Sequence, residues 1–245
     1  MADYRWNVTE FATAYDAAAE HIHPRYVEMQ LAVLDLLPFA TDAEILLVDA
    51  GGGSGRLIEL FLDRFARATA IIVDQSETFL AIAERRLARF GGRAECRLAR
   101  LQNDWTAGLP GTPDAVVSMS AIHHLDPAEK LDLYGRLHDA LALRGVLLNG
   151  DEVRPADDAE YLARCRWWAE HMHRVSEAGL VPAAFRPAML KWEERNVTRF
   201  GQPRVSGDDC HETVETQLGY FRAAGFARAD CPWQKEMWAI LRGVK

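Results

Sequence analysis

The feature that most constrains this chain is a glycine-rich turn between an apolar run and an amphipathic one. Residues 45–60 read ILLVDAGGGSGRLIEL, so the apolar run ends at Asp49 and a helical pattern begins after the glycines. A continuous apolar run is typical of a strand buried on both faces. Glycine tolerates positive φ and lets a ligand approach the main chain, while the start of a helix presents unpaired N–H groups. The glycine turn, residues 51–55, is therefore a candidate ligand site between a strand and a helix.

Strand-like and helix-like segments alternate along the chain after this point. The strand-like segments are 45–49, 70–74, 94–99, 114–120 and 145–153. Alternation of this kind implies a parallel sheet that is covered by helices on both faces and wound by right-handed crossovers. Residues 227–244 read as a β-hairpin that would complete the sheet. We therefore predict an α/β fold, a three-layer α/β/α sandwich with a mostly parallel seven-stranded sheet and an antiparallel C-terminal hairpin.

Length and composition restrict the class of protein. A chain of 245 residues with 49% hydrophobic and 26% charged residues suits one globular domain, so we expect residues 1–245 to form a single unit. The formal net charge of −8 argues against nucleic acid as a partner, because phosphate contacts need basic surfaces. No apolar run approaches the ~20 residues of a membrane helix, and the N-terminus does not resemble a signal peptide. We expect a cytoplasmic protein that does not bind membranes.

Two later acidic residues extend the candidate ligand site. Asp74 ends the second predicted strand, where a carboxylate accepts hydrogen bonds from a ribose diol in nucleotide-binding α/β folds. Asp104 follows the third strand and has Trp105 beside it. An acid that accepts from an adenine amino group, with an apolar ring next to it, would complete the recognition of an adenosine.

The spacing of the glycines separates this motif from a dinucleotide site. Dinucleotide-binding turns usually read G-x-G-x-x-G, whereas here D-x-G-x-G-x-G places glycines at alternate positions. This motif resembles the first motif of class I S-adenosylmethionine (SAM) dependent methyltransferases, and AVVSMSAIHHL and GVLLNGDEV match later motifs of that family in place and order. The resemblance runs from about residue 40 to residue 245 and implies a Rossmann-like fold. It also implies SAM as the cofactor and a small molecule as the substrate.

By this resemblance the methionyl part of SAM would lie at the glycine turn, the ribose at Asp74 and the adenine at Asp104 and Trp105. The reactive sulfonium would lie above Ser118, near the end of the fourth strand. The family often has Cys or a small residue where Gly52 stands, and we expect Gly52 to loosen the turn slightly. The implied cofactor-binding residues are Asp49, Gly51, Gly53, Gly55, Asp74, Gln75, Asp104, Trp105 and Ser118.

Candidate catalytic residues lie at strand ends and in the N-terminal segment. His123 follows the fourth strand, where an imidazole with a pKa near ~6.5 could act as a general base, although it could equally pack or cap the next helix. Asp151, with Glu152 beside it, ends the fifth strand and could orient a substrate amine, accept its proton or be solvated. Tyr15 and Asp16 are our candidates for closing over SAM.

Two aromatic segments are expected to cover the site, namely an N-terminal helical lid at residues 1–40 and a helical cap insertion at residues 155–210. By the resemblance, segments at these positions govern substrate access. Aromatic faces can also stabilise a sulfonium by about 0.5 to 2 kcal/mol per favourable ring.

Histidine and cysteine spacing gives no recognised metal motif. Residues two apart on a helix point in different directions, as at His21 and His23 or His171 and His173, and Cys210-His211 adds only one pair. From this spacing we expect no metal site.

The leading hypothesis is methyl transfer from SAM to a small-molecule acceptor. One alternative keeps SAM but changes the reaction: the α-amine of SAM attacks its own γ-carbon, which releases methylthioadenosine and forms azetidine-2-carboxylate. Another alternative is a SAM-binding regulator without catalysis, because the ordered acids indicate binding and not turnover. We also consider a homodimer.

Overall fold

The structure, a computed structural model, describes residues 5–204 and 208–245. In the sheet the strands run in the order β3-β2-β1-β4-β5-β7-β6. The first five strands pair in parallel, and β7 is antiparallel to both β5 and β6. The predicted mostly parallel sheet with an antiparallel C-terminal hairpin is confirmed. The strand bounds are β1 Leu46–Ala50, β2 Thr69–Asp74, β3 Ala94–Leu98, β4 Ala115–Met119, β5 Val146–Glu152, β6 Arg228–Lys235 and β7 Trp238–Val244.

Helices connect β1 to β2, β2 to β3 and β4 to β5, as the predicted alternation of strands and helices implies. The structure adds α7 inside the Pro-rich part of the insertion, where Pro187 occupies the first turn and its missing N–H leaves no helical bond unmade. Among the described helices none has both the length and the apolar composition needed to cross a bilayer. The helix bounds are α1 Thr9–Ile22, α2 Tyr26–Asp35, α3 Arg56–Arg64, α4 Glu77–Leu87, α5 Pro127–Ala140, α6 Asp158–Glu177, α7 Arg186–Glu193 and α8 Val214–Ala223.

The sheet separates two apolar layers because successive side chains of a strand point to opposite faces. On one face, Leu47 and Ile72 pack in a layer that includes side chains of α1 to α4 and α6. On the other face, Val48 and Ile71 pack in a layer with α5 and α8. This burial on both faces explains why the central strands read as continuous apolar runs.

The N-terminal segment and the insertion contact each other. The indole N–H of Trp168 on α6 donates to the carbonyl of Ile22 at the end of α1 over 2.7 Å. The rings of Phe11 and Phe185 lie 5.3 Å apart between centroids. The N-terminal segment is also tied to the start of α4, because the Ser76 hydroxyl donates to the Trp6 carbonyl at 2.6 Å. Both segments therefore cover the same part of the sheet.

Candidate functional site

The glycine turn follows β1 directly and leads into α3. At Gly52 an added Cβ would lie 2.6 Å from Oδ2 of Asp49 and 2.9 Å from Cγ2 of Ile72. Gly52 therefore lets the turn fit closely against Asp49 and does not loosen it, contrary to our expectation. The glycines that adopt positive φ are Gly51 at 80°, Gly53 at 54° and Gly55 at 78°.

Asp49 lies beneath this turn with 1% of its surface exposed. Its Oδ1 atom has no hydrogen-bond partner among the described residues. Burial, helped by the nearby charge of Asp74, raises the pKa of Asp49 to about 8. A buried acceptor without a donor is costly, so the position fits a ligand that supplies one, such as the ammonium group of an amino acid. The turn and Asp49 thus fit the methionyl part of SAM.

Asp74 ends β2 and bonds to the glycine turn. Its Oδ2 accepts from the N–H of Gly53 at 3.0 Å, and its Oδ1 accepts from the N–H of Ser76 at 2.8 Å. Burial raises the pKa of Asp74, although hydrogen bonds from the main chain of Ser76, Gly53 and Gln75 act in the opposite direction. Each carboxylate oxygen still has a lone pair to offer, so a ribose diol can bind here in addition.

The residues expected at the adenine and below the sulfonium have local partners. Asp104 is exposed, and a hydrogen bond from the Thr106 hydroxyl at 2.9 Å lowers its pKa. Trp105 is buried in the apolar layer of α5 and α8. Ser118 is buried and donates to the carbonyl of Ala50 at 2.7 Å. The adenine and sulfonium assignments therefore stay predictions, and Ser118 also joins β4 to the end of β1.

Tyr15 and Asp16 are adjacent in α1 but face different surroundings. Asp16 accepts from the Ser54 hydroxyl at 2.5 Å, from Arg56 Nε at 3.0 Å and from Arg86 Nη2 at 2.8 Å. Burial alone would raise the pKa of Asp16, but the hydrogen bonds from Arg86 and Ser54 and the two arginine charges lower it. Asp16 thus connects α1 to the glycine turn, whereas Tyr15 lines a cavity.

That cavity, the acceptor pocket, lies between the N-terminal segment, the insertion and the ends of β4 and β5. Most of its wall is aromatic or aliphatic, and one end is polar. The apolar lining residues are Trp6, Phe11, Tyr15, Ile22, Trp168, Met172, Phe185, Ala188, Met189 and Trp192. The polar lining residues are His23, Ser120, His123, His124, Glu152, Arg195, Asp209 and His211.

His123 lies at this polar end, in a short 3-10 turn after β4. Its Nδ1 is 2.6 Å from Oδ1 of Asp151 and 2.6 Å from Oε2 of Glu152. Burial disfavours the charged imidazole, but the charges of Glu152 and Asp151 outweigh burial and raise the pKa of His123 well above its usual value. The assignment of His123 as a general base stays a prediction. Asp151 is buried behind this imidazole and also accepts from the His123 main-chain N–H at 2.9 Å.

The loop before α8 brings residues to the site that the sequence analysis did not select. The main-chain N–H of Cys210 donates to the carbonyl of His123 at 2.7 Å. Lys130 on α5 is fully buried, and its Nζ donates to the Cys210 carbonyl at 2.6 Å and to Oε2 of Glu212 at 2.7 Å. These contacts hold His211 in the pocket wall between two fixed neighbours.

His211 is neutral, and among the described residues only one of its two ring nitrogens has a hydrogen-bond partner. Its Nδ1 is 2.7 Å from the Tyr161 hydroxyl, and within the described parts of the chain no hydrogen-bond partner reaches its Nε2. Burial lowers the pKa of His211 to about 4. Burial likewise lowers the pKa of His23, whose Nδ1 lies 3.6 Å from Oε1 of Glu152, to about 4. The sequence shows only that His211 follows Cys210. That adjacency does not predict that the loop approaches His123.

The comparisons with known proteins agree with this geometry. Residues 48–147 match the family described as "Methyltransferase domain". The resemblance to class I SAM-dependent methyltransferases, and SAM as the cofactor of that family, are confirmed at this level. No curated protein sequence matches the chain.

Solved structures share the fold at low sequence identity. An O-methyltransferase family protein from Burkholderia thailandensis is 20% identical with a TM-score of 0.61, and the alignment covers 91% of this chain and 57% of that one. An O-methyltransferase family 2 protein from Planctomyces limnophilus, in complex with apigenin, is 16% identical with a TM-score of 0.64, covering 100% and 63%. Magnesium protoporphyrin IX methyltransferase from Synechocystis, with bound S-adenosylhomocysteine, is 16% identical with a TM-score of 0.63, covering 98% and 95%. The chain thus spans less than two thirds of the length of the first two proteins.

Proposed function

We propose that this protein transfers a methyl group from SAM to a small planar acceptor that carries an ionisable hydroxyl or enol. The observation that carries the proposal is the acceptor pocket, whose aromatic walls end in a polar cluster around His123 and Glu152. Aromatic walls select a flat apolar body, and a few polar groups at one end fix its orientation. The pocket and the glycine turn meet at Ser120 and Ala121, since Ser120 lines the pocket and Ala121 lies against Gly51.

The residues of this chain would act mainly by binding and positioning. SAM supplies an electrophilic methyl group on a cationic sulfur. The glycine turn and Asp49 would hold its amino-acid end and Asp74 its ribose, so that the sulfonium faces the pocket. Alignment of the acceptor behind the S–CH₃ bond can supply about 7 to 11 kcal/mol of the barrier, so a strong base is not essential.

The polar cluster would position the acceptor oxygen. His123 and Glu152 can fix the position of an acceptor oxygen and so hold it toward the sulfonium, where the anionic form of that oxygen is the better nucleophile. Ser120 donates to Oε1 of Glu152 at 3.1 Å and helps to fix the Glu152 carboxylate. Ser120 itself has a φ of 52°, unusual for a residue with a side chain and typical of positions where the surroundings impose the conformation.

The comparisons support methyl transfer as the type of reaction. The matched family is a methyltransferase family, and the P. limnophilus protein of similar fold was solved with apigenin, a flat molecule with several hydroxyls. The comparisons lend no support to the cyclase alternative. Cytoplasmic location and a dimeric state stay predictions.

Product analysis distinguishes the hypotheses directly. Purified protein is incubated with SAM alone and with a set of phenols, enols and β-keto acids. S-Adenosylhomocysteine formed only when an acceptor is present supports the proposal, whereas methylthioadenosine formed without an acceptor would support cyclisation. Binding of SAM by calorimetry with no product in any reaction would favour a regulator. Asp74→Ala is expected to abolish SAM binding under every hypothesis, and unchanged affinity would refute the ribose assignment.

A separate variant tests the polar end. His123→Gln keeps a hydrogen-bonding side chain but removes the imidazole that positions the acceptor, so methyl transfer should fall about 100-fold while SAM affinity stays within twofold. His173→Gln, at an exposed position on α6, is the matched control and should have no effect. Equal rates for both variants would exclude a role for His123 in transfer.

A further inference from the structure

Two histidines and one carboxylate converge at the polar end of the acceptor pocket. The ligand atoms of His123, Glu152 and His211 all lie within 4.8 Å of one another, and all three residues are buried. They come from three separate elements, namely the turn after β4, the end of β5 and the loop before α8. Burial of these donors costs free energy because each one must be removed from water, so we expect an interaction that compensates for this cost.

We propose that His123, Glu152 and His211 bind a divalent transition-metal ion, which holds the acceptor oxygen in an open coordination position. The binding of the ion stands on its own, and only its role toward the acceptor rests on the proposed function. This inference departs from the sequence-based expectation of no metal. That expectation considered spacing along the chain, and the fold brings together residues as far apart as positions 123 and 211.

An unpartnered buried nitrogen points to the ligand. Nε2 of His211 has no hydrogen-bond partner in the described part of the protein, and 9% of the residue is exposed. Its other nitrogen, Nδ1, is 2.7 Å from the Tyr161 hydroxyl. A histidine that binds metal through one nitrogen usually bonds to an outer partner through the other, which fixes the tautomer and the ring orientation. His211 has this arrangement, with Nε2 left for the ion.

His123 has an outer partner of the same kind. Asp151 Oδ1 lies 2.6 Å from Nδ1 of His123, and Asp151 Oδ2 accepts from the His123 main chain at 2.9 Å, so the ring and its backbone are both fixed. Oε2 of Glu152 also lies 2.6 Å from this Nδ1, so binding of an ion through Nε2 requires the Glu152 carboxylate to turn toward it. Asp151 and Glu152 also place two carboxylates beside the imidazole. Negative charge at this density favours a bound cation.

The loop that carries His211 is held in place on both sides of this residue. Lys130 bonds to the Cys210 carbonyl and to Glu212, the residues on either side of His211. The Glu212 carbonyl accepts from the main-chain N–H of Arg154 at 3.1 Å, which ties the loop to the end of β5 as well. Metal sites require ligands that are held close to their final positions, and this loop meets that requirement.

The donor set selects the class of ion. Imidazole nitrogen suits zinc and iron, whereas magnesium and calcium prefer oxygen ligands. Two histidines with one carboxylate occur both in catalytic zinc sites and in non-haem iron(II) sites, and both leave positions open for a substrate. Ligand atoms at about 2.1 Å from one ion lie at most about 4.2 Å apart, so the donors here need to approach by well under ~1 Å.

Calorimetric titration of the full chain with Zn²⁺, with Fe²⁺ under anaerobic conditions and with Mg²⁺ tests the proposal. Zinc and iron(II) should bind at one site per chain, and Mg²⁺ should not compete. Co²⁺ in the same site should give the visible absorption of a four- or five-coordinate ion with nitrogen ligands. His211→Gln and Glu152→Gln should each weaken Zn²⁺ binding by about 100-fold or more, because loss of a direct ligand costs at least as much as loss of an outer partner.

His173→Gln is again the matched control, since it removes an exposed histidine far along α6, and it should change Zn²⁺ affinity less than twofold. Absence of tight Zn²⁺ or Fe²⁺ binding, or binding that survives both His211→Gln and Glu152→Gln, would overturn the proposal. Circular dichroism of each variant checks the fold. If His211→Gln does not fold, Glu152→Gln and the Co²⁺ spectrum of the natural chain still test whether the metal binds at this site. Methyl transfer measured in the same samples separates the two proposals. A metal-free protein that still methylates an acceptor refutes only the role of the ion in transfer, and a protein that binds Zn²⁺ but methylates no acceptor refutes only the proposed function.

Discussion

The glycine turn and the acceptor pocket are built in contrasting ways. The glycine turn comes from one continuous stretch of chain, and main-chain atoms make most of its surface. The acceptor pocket is assembled from the N-terminal segment, two strand ends, the insertion and the loop before α8, and side chains make its surface. A site made from local main chain can be read from a short motif, whereas a site made from distant side chains depends on the whole fold.

The contrast extends to what holds each region in place. Around the glycine turn, Asp74 bonds to main-chain N–H groups of neighbouring loops. Around the acceptor pocket, the loop of His211 depends on Lys130, a single buried cation. Substitutions in the two regions should therefore have different effects. Those at the turn should lower ligand affinity, and those at Lys130 should lower the free energy of unfolding.

The largest expected effect is at Lys130. Lys130→Met leaves the Glu212 carboxylate without its buried partner, so the free energy of unfolding should fall by about 3 to 5 kcal/mol. Urea denaturation measures this loss. Lys191→Met, at an exposed position on α7, is the control and should stay within about 0.5 kcal/mol of the natural chain. Similar stability of the two variants would show that the loop does not depend on the ion pair.

The next effect is at the glycine turn. Gly52→Ala places a methyl group against Asp49 and Ile72, and overpacking of this kind costs about 1 to 3 kcal/mol, so SAM affinity should fall by roughly 10- to 100-fold. Calorimetry with SAM gives the affinity. Gly135→Ala in α5, where an added Cβ meets open space, should leave SAM affinity unchanged and raise stability slightly. If Gly52→Ala binds SAM normally, the turn is not as tight as its contacts indicate.

A smaller effect is expected at Asp16, which joins the two regions. Asp16→Asn should lower stability by about 1 kcal/mol at neutral pH, because two partly exposed arginine contacts are weakened. The pKa of Asp16 is lowered in the folded protein, so its contribution is present above the unfolded pKa of about 4 and is lost as pH falls below it.

Thermal unfolding from pH 7 to pH 3 tests this dependence, with Asp35→Asn as the control. Asp35 pairs with Arg64 in a more exposed setting, so its substitution should have little effect at any pH. Equal pH profiles for the two variants would contradict the role assigned to Asp16.

The smallest signal concerns a proton at Asp49. The pKa of about 8 keeps Asp49 largely protonated at pH 7, and a cationic ligand beside it should displace up to one proton. The apparent enthalpy of SAM binding should then vary with the ionisation enthalpy of the buffer, and Asp49→Asn should remove the variation. Without ligand the sign is the opposite of the Asp16 case: as pH rises from about 4 to about 8 the unfolded chain loses a proton that folded Asp49 keeps, so stability falls. A buffer-independent enthalpy for the natural chain would place the ligand's ammonium elsewhere.

Much of the fold could be predicted because its signals are local. Strands β1, β2, β4 and β5 contain buried apolar runs, whereas the edge strand β3 is only partly buried. The glycine turn lies where a strand signal and a helix signal meet. The bounds of α7 within the cap insertion were not predicted, although a proline such as Pro187 is well tolerated in a first helical turn.

The polar end of the pocket could be predicted only in part. His123 and Asp151 were selected because strand ends point to the active edge of such sheets. Their mutual contact, the raised pKa that follows from it and the approach of His211 depend on tertiary contacts for which no pattern in the chain gives a signal. The role of Asp16 in closing over SAM stays a prediction, and its pairing with Arg56 and Arg86 could not be inferred from sequence.

The hydrogen bonds of Asp16 to Ser54, Arg56 and Arg86 connect helix α1 to the glycine turn, to α3 and to α4. Helix α1 cannot lift away without releasing the glycine turn and the first or last turns of α3 and α4. Because salt screens partly exposed ion pairs, dissolved salt should weaken this connection and make the separation of α1 from the glycine turn easier.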